Sequence, residues 1–161
     1  EMALIEPSRA AVFVIVDGVG IEVPGHPIAD FFALTPRQIA ELSYHDPDRY
    51  GIDPSKLAPE VLQAMVGNRA TLGLYAGTAM SDPTLAERLA AVNKPTLVLW
   101  GDSDRIAGVE YGKALARAIA GAEFQMLAQT GHMPQIESPE KLVDAIWSFA
   151  ERVDQPQDSA G

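Results

Sequence analysis

The sequence predicts an α/β fold in which three parallel strands are covered by helices and a separate helical unit is inserted between the first two. Two short apolar runs rich in β-branched residues, "VFVIVDGVG" (12–20) and "TLVLWGDSD" (96–104), each stop at glycine and aspartate. That is the pattern of strands buried on both faces. A weaker third run, "EFQMLAQTGH" (123–132), ends in the same way. Helical periodicity separates the second run from the third and resumes after it, and strand, helix, strand, helix in that order implies a parallel sheet.

Each element has its own justification. After the second run, Tyr111, Ala114, Leu115, Ala118 and Ile119 fall at helical spacing, with Gly121 placed to stop the helix. After the third run, Ser138 and Pro139 read as N-cap and first helical position, and Leu142, Ile146, Phe149 and Val153 form one apolar stripe. Trp100 and Trp147 are expected in or near the core. Residues 21 to 92 differ in composition, being rich in Pro, Gly and short capped segments such as "TPRQIAEL" and "DPSKLAPEVLQAM". Asp82 and Pro83 open a helix through Leu85, Leu89 and Val92. So long a stretch between consecutive strands is not a simple crossover. The chain therefore divides into a core portion, 1–20 with 93–153, a helical insertion, 21–92, and a polar tail, 154–161, expected to fray.

Composition excludes several function classes. Among 161 residues, 22 are acidic and 12 basic, giving a net charge of -10 that repels phosphate backbones and anionic lipid. Neither nucleic acid nor a membrane is expected as a partner. The absence of cysteine removes disulfides, thiolate metal sites and a cysteine nucleophile. The longest strongly apolar run, Ala10 to Val16, is far shorter than the roughly 20 residues of a membrane helix. The first residues lack the pattern of a signal peptide, and a cytoplasmic location is the expectation. No cofactor is expected.

In an open parallel sheet ligands sit beyond the carboxyl ends of the strands, which makes Asp17, Asp102, Asp104 and His132 the candidate chemical groups. A histidine at a strand end serves as a base when a carboxylate fixes its tautomer, and a neighbouring strand end can supply one. One of the pair Asp102 and Asp104 is then the partner of His132, and the other shapes the turn.

These segments resemble the α/β-hydrolase superfamily. "PTLVLWGDSDRI" is similar to that family's strand and acid loop, and "GHMPQIESPEKLVDAIWSFAE" to its histidine loop and last helix. The resemblance implies Asp104 as the acid and His132, 28 positions on, as the base. It leaves Asp17 as an alternative acid, because some members place that group one strand earlier. It also implies that residues 21–92 are a helical lid. Phe31, Phe32, Leu34, Leu62, Met65, Leu72, Leu74 and Tyr75 are then candidates to line a substrate pocket. The implied activity is hydrolysis of a small, mostly apolar ester or a related acyl or carbon-carbon substrate.

One part of the family pattern is absent. The nucleophile of this superfamily sits in a G-x-S-x-G elbow before the acid. Ser8, Ser43, Ser55 and Ser81 precede Asp104 but lack the flanking glycines. The first 17 residues look like the end of the helix after the elbow and the following strand, so the nucleophile, serine or aspartate, is expected upstream of Glu1. The chain would then be the C-terminal part of a hydrolase, inactive by itself. Its first strand, left without an inner neighbour, would favour self-association or pairing with the missing half. "GVGIEVPG" lacks the spacing of a dinucleotide loop. His26 and the "HDPD" of His45, Asp46 and Asp48 read as turn and capping residues, and no metal site is expected.

Overall fold

The computed structural model describes residues 2–155, so most of the expected tail lies outside the described residues. Strands β1 (Phe13–Val16), β2 (Thr96–Gly101) and β3 (Glu123–Leu127) form one parallel sheet in the order β1-β2-β3. Ile15 stands opposite Val98, and Val98 opposite Phe124. The fold class read from the sequence is the one observed.

Position in the sheet explains the burial of each strand. Every residue of the central β2 is buried, whereas β1, with a neighbour on one side only among the described residues, is half-buried throughout. The expectation of burial on both faces thus holds for β2 and not for β1. Along β2 the side chains alternate between two cores, as the two-residue period of a strand requires. Val98 and Trp100 join Tyr111, Leu115 and Ile119 on one face; Leu97 and Leu99 join Leu127, Ala145 and Phe149 on the other.

Helix α6 is Val109–Arg117, and its Gly112 lies directly over the Trp100 indole. A Cβ there would come within 2.3 Å of Trp100 Cδ2, so only glycine lets the helix approach this closely. The indole Nε1 donates to the Ala107 carbonyl at 2.8 Å, which satisfies the polar atom of a fully buried ring. The helix ends before the expected Ala118 and Ile119, and Gly121, at φ +72°, turns the chain into β3.

The last helix, Pro139–Asp154, starts where the Ser-Pro pair predicts, but the Ser138 hydroxyl bonds Thr130 Oγ1 at 2.8 Å and caps nothing. Trp147 contradicts the core expectation: it is 63% exposed. It lies about 100° around the helix from Ile146, beyond the stripe that faces the sheet. Strand β3 is also shorter than expected, since it stops at Leu127 and residues 128–133 form a loop with Gln129 in the left-handed region.

Between β1 and β2 the chain forms α2 (Pro36–Ser43), α3 (Pro47–Tyr50), α4 (Pro59–Ala76) and α5 (Leu85–Leu89). Thr35 and Gln38 make a reciprocal capping box at α2, and Asp46 caps α3 by accepting from Arg49 N. The predicted "DPSKLAPEVLQAM" helix is broken in two, because Asp53 caps a short 3-10 turn and α4 begins only at Pro59. The helix expected to reach Val92 stops at Leu89. No residue of α4 is buried, and Leu74 and Tyr75 are 85% and 90% exposed. Arg69 secures this helix by donating from Nη2 to the carbonyls of Phe31 and Leu34, with its guanidinium 4.9 Å from the Phe31 ring centre. No helix among the described residues is long and apolar enough to cross a membrane.

Candidate active site

The loops that leave the carboxyl ends of the three strands each deliver one titratable group to the same point. Asp17 follows β1, Asp104 lies in the turn after β2, and His132 lies in the loop after β3. One oxygen or nitrogen of each lies within 4.8 Å of the others. This is the one cluster of three His, Asp or Glu groups close enough to share a ligand among the described residues.

The "GDSD" turn divides the work between its two aspartates. Asp102 accepts from the Ser103 hydroxyl at 2.8 Å and from Thr130 N, so it shapes the turn and ties it to the loop after β3. Although partial burial opposes its charge, backbone N–H groups of Gln129 and Thr130 and the Ser103 hydroxyl hold its carboxyl below the usual range. Asp104 faces inward, with a fully buried side chain. Its Oδ1 accepts from the backbone N–H groups of Ile106 and Ala107, which fixes the carboxylate plane and leaves Oδ2 for the His132 Nδ1, 2.8 Å away.

His132 is oriented by its partner and by its backbone. Its N–H donates to the Ser43 carbonyl at the end of α2 at 2.6 Å. Burial works against the imidazolium, but the bond to Asp104 and the charges of Asp104 and Asp17 outweigh it, so the imidazole pKa lies above its ordinary value. With Nδ1 engaged, Nε2 is the ring nitrogen left for proton transfer.

Asp17 is also buried and adopts φ 41°, in the left-handed region. Its Oδ1 accepts from Gly101 N at 2.8 Å, and its buried Oδ2 has no hydrogen-bond partner. Burial, reinforced by the charge of Asp104 and only partly offset by the Gly101 N–H, pushes its carboxyl up to about 7.

One residue that ties this arrangement together carries no signal in the sequence. Glu137 ends α7 (Pro134–Glu137) and accepts from three backbone N–H groups, those of Gly131 at 2.7 Å, Asp46 at 2.8 Å and His45 at 3.0 Å. An isolated glutamate carries no sequence signal for such a role, because its partners are main-chain atoms.

A cavity of about 500 Å³ opens beside His132, walled by Phe31, Ile39, Leu62, Met65 and Leu72 among others. Of the eight pocket candidates, Phe31, Leu62, Met65 and Leu72 line it, and Phe32, Leu34, Leu74 and Tyr75 do not. The "HDPD" residues serve locally. His45 Nδ1 bonds the Ser103 hydroxyl, Asp46 caps α3, and Asp48 pairs with Arg37. His26 lies apart, beside a second cavity, and its N–H donates to the Val23 carbonyl. The glycine-rich loop is structural, because the Tyr111 hydroxyl accepts from the N–H groups of Gly20 and Ile21.

A family model described as "Alpha/beta hydrolase family" matches residues 2–145. The chain belongs to this family. It is 34% identical over 99 residues to the AB hydrolase superfamily protein YisY of Bacillus subtilis, covering 59% of this chain and 37% of that protein. It is 31% identical over 70 residues to a 2-hydroxy-6-oxononadienedioate/2-hydroxy-6-oxononatrienedioate hydrolase of Klebsiella pneumoniae, covering 44% and 24%. The solved structure of 2-hydroxy-6-oxo-6-phenylhexa-2,4-dienoate hydrolase from Rhodococcus sp. strain RHA1 superimposes with a TM-score of 0.67 at 19% identity. That superposition covers 93% of this chain and 58% of that one, so this alpha/beta hydrolase chain spans little more than half of its structural relative.

Proposed function

We propose that this chain supplies the base and the acid of a hydrolase acting on a small, mostly apolar ester or a related acyl or carbon-carbon substrate. The observation that carries the reading is the 2.8 Å contact between His132 Nδ1 and a fully buried Asp104 carboxylate, with His132 lining an apolar cavity. With a serine nucleophile His132 Nε2 takes the hydroxyl proton as the oxygen attacks the scissile carbonyl and then gives it to the leaving group; with an aspartate, which attacks as a carboxylate, it takes its proton from the water that hydrolyses the covalent intermediate. Asp104 holds the tautomer and stabilises the imidazolium. The helices of residues 21–92 act as the lid, and their apolar wall favours an uncharged substrate.

The nucleophile, serine or aspartate, belongs on this reading to a segment outside these 161 residues. Among the described residues no serine hydroxyl is hydrogen-bonded to the His132 ring; Ser8, Ser55 and Ser81 instead bond the nearby carboxylates of Glu6, Asp53 and Glu22. A second reading, a non-catalytic assembly partner, is favoured by the outer edge of β1, which pairs with no strand among the described residues. Such an edge is a template for another chain.

One experiment separates the two. Intact-mass spectrometry after treatment with a fluorophosphonate, which labels activated serines, should leave this chain at 17.2 kDa and label the protein encoded by the complete gene. In that complete protein His132→Ala should slow labelling by about 10³-fold or more. Labelling at the unaltered rate in this variant would refute the base assignment, and a complete protein that no serine or carboxylate reagent labels would favour the assembly reading.

A further inference from the structure

We propose that Asp17 is a positioning residue of this site: below neutrality it remains a protonated carboxylic acid beside the Asp104 carboxylate, so that the cluster there presents one negative charge to His132 and not two. The inference deepens the reading of His132 and Asp104 as base and acid, and its test reads the side chains themselves, so the two can fail separately.

The hydrogen bonds say which carboxyl carries the charge. Asp104 receives three donors: two backbone N–H groups on Oδ1 and the imidazole on Oδ2. Asp17 receives one, the Gly101 N–H on Oδ1, and its Oδ2 is sealed from solvent without a partner. An ionised carboxylate with one oxygen in that condition is costly, and protonation removes the charge that burial penalises. Two buried carboxyls this close do not both ionise; the pair shares its charge, and the member with fewer donors keeps the proton.

Asp17 is also held in place on purpose-built backbone. Its N–H donates to the Leu99 carbonyl at 3.0 Å, and its side chain reaches back to Gly101 of the same strand, so β2 grips it twice. Such a double hold explains how a non-glycine residue stays at φ 41°. A residue that merely closed a strand before a turn would face water; this one faces the Asp104–His132 pair.

The charged groups that face Asp17 are Asp104, from the loop after β2, and His132, from the loop after β3. As pH rises through neutrality Asp17 ionises, since burial and the Asp104 charge place its carboxyl at about 7. The second negative charge then strengthens the imidazolium. Titration of His132 therefore depends on Asp17 as well as on Asp104.

The test is a carboxyl ¹³C and imidazole ¹⁵N NMR titration of the isotopically labelled chain between pH 4 and 9. The Asp17 carboxyl should titrate near neutrality, well separated from the ordinary carboxyls. In Asp17→Asn, which keeps an acceptor for Gly101 N–H and like the protonated acid adds no charge, the His132 titration should be unchanged below neutrality and should move to lower pH only in the part above it, becoming a single step. An Asp17 carboxyl that titrates with the ordinary carboxyls, or a His132 curve that Asp17→Asn shifts as much below neutrality as above it, would overturn the proposal. Should the asparagine variant not fold, the Asp17 carboxyl titration of the unaltered chain decides alone.

Discussion

Replacing Glu137 by alanine tests how the histidine loop is held. The carboxylate accepts from Gly131 N, Asp46 N and His45 N, and so joins the residue before His132 to the segment that follows α2. Hydrogen bonds to a charged group contribute about 1.5–3 kcal/mol where water is excluded and much less where it is not. His45 and Asp46 are exposed, so water replaces the carboxylate there at a loss of about 0.5 kcal/mol each. Gly131 is buried, so loss of the carboxylate removes the partner of an N–H that bulk water does not reach. Its N–H is therefore orphaned, at about 2 kcal/mol. The expected loss is about 3 kcal/mol, measured as a shift of the urea midpoint at constant m and equivalent to roughly 6–12 °C in Tm. Glu137→Gln, which retains one acceptor oxygen, should fall between. An alanine variant within about 0.5 kcal/mol of the unaltered chain would refute the claim that this carboxylate anchors the loop.

Two further outcomes can be measured by the same denaturation. Tyr111→Phe removes the hydroxyl that accepts from Gly20 N and Ile21 N and donates to the Ile21 carbonyl, inside the core; stability should fall by about 3 kcal/mol, and a loss under about 1 kcal/mol would mean that solvent reaches those groups. The second is the pH dependence of stability: Asp17 binds its proton up to about 7 when folded but only to 3.8 when unfolded, so its contribution is greatest below 3.8 and is lost as pH rises to 7. At about 1.4 kcal/mol per unit the loss approaches 4 kcal/mol, and Asp17→Asn should gain that much on the unaltered chain between pH 4 and pH 7; equal urea midpoint shifts at the two pH values would contradict it.

The parts of this molecule that were legible in the sequence are those where one side chain has one dominant environment. The apolar run at 96–101 reads as a strand buried on both faces, and it is buried at every position. The proline-led helix starts at Pro36 and Pro139 were readable because a fixed φ and a missing donor suit only the first turn. Misjudgements arose where tertiary neighbours decide. Trp147 reads as core by composition but falls outside the stripe of its helix, and Ser138 reads as a cap but finds Thr130. Pocket candidates divided for the same reason: Leu72 lines the cavity while Leu74, two positions on, points to solvent. The pairing of Asp104 with His132 came from the resemblance. The geometry adds why it is 104 and not 102: the first aspartate is spent on the turn, and only the second lies where two backbone donors hold it toward the imidazole.

The attachment of the helical insertion to the site bears on how one scaffold could serve different substrates. The Ser43 carbonyl receives the His132 N–H, the Leu42 carbonyl receives the Arg105 N–H, and Glu137 takes the amides of His45 and Asp46. Side chains add to this hold, since His45 Nδ1 bonds the Ser103 hydroxyl, the Arg105 guanidinium donates to the Glu41 and Tyr44 carbonyls, and the Tyr50 hydroxyl donates to the Glu137 carbonyl. Main-chain hydrogen bonds do not change when a neighbouring side chain does, so the histidine and acid loops stay docked whichever residues face the cavity. The walls, by contrast, are side chains of α2 and α4 such as Ile39, Leu62, Met65 and Leu72. Helix α4 buries none of its residues, so substitutions along it alter the shape of the cavity with little cost to the core. The chemical groups are thus positioned largely through main-chain contacts, while much of the cavity wall is side chains of α2 and α4 that can change without removing those contacts.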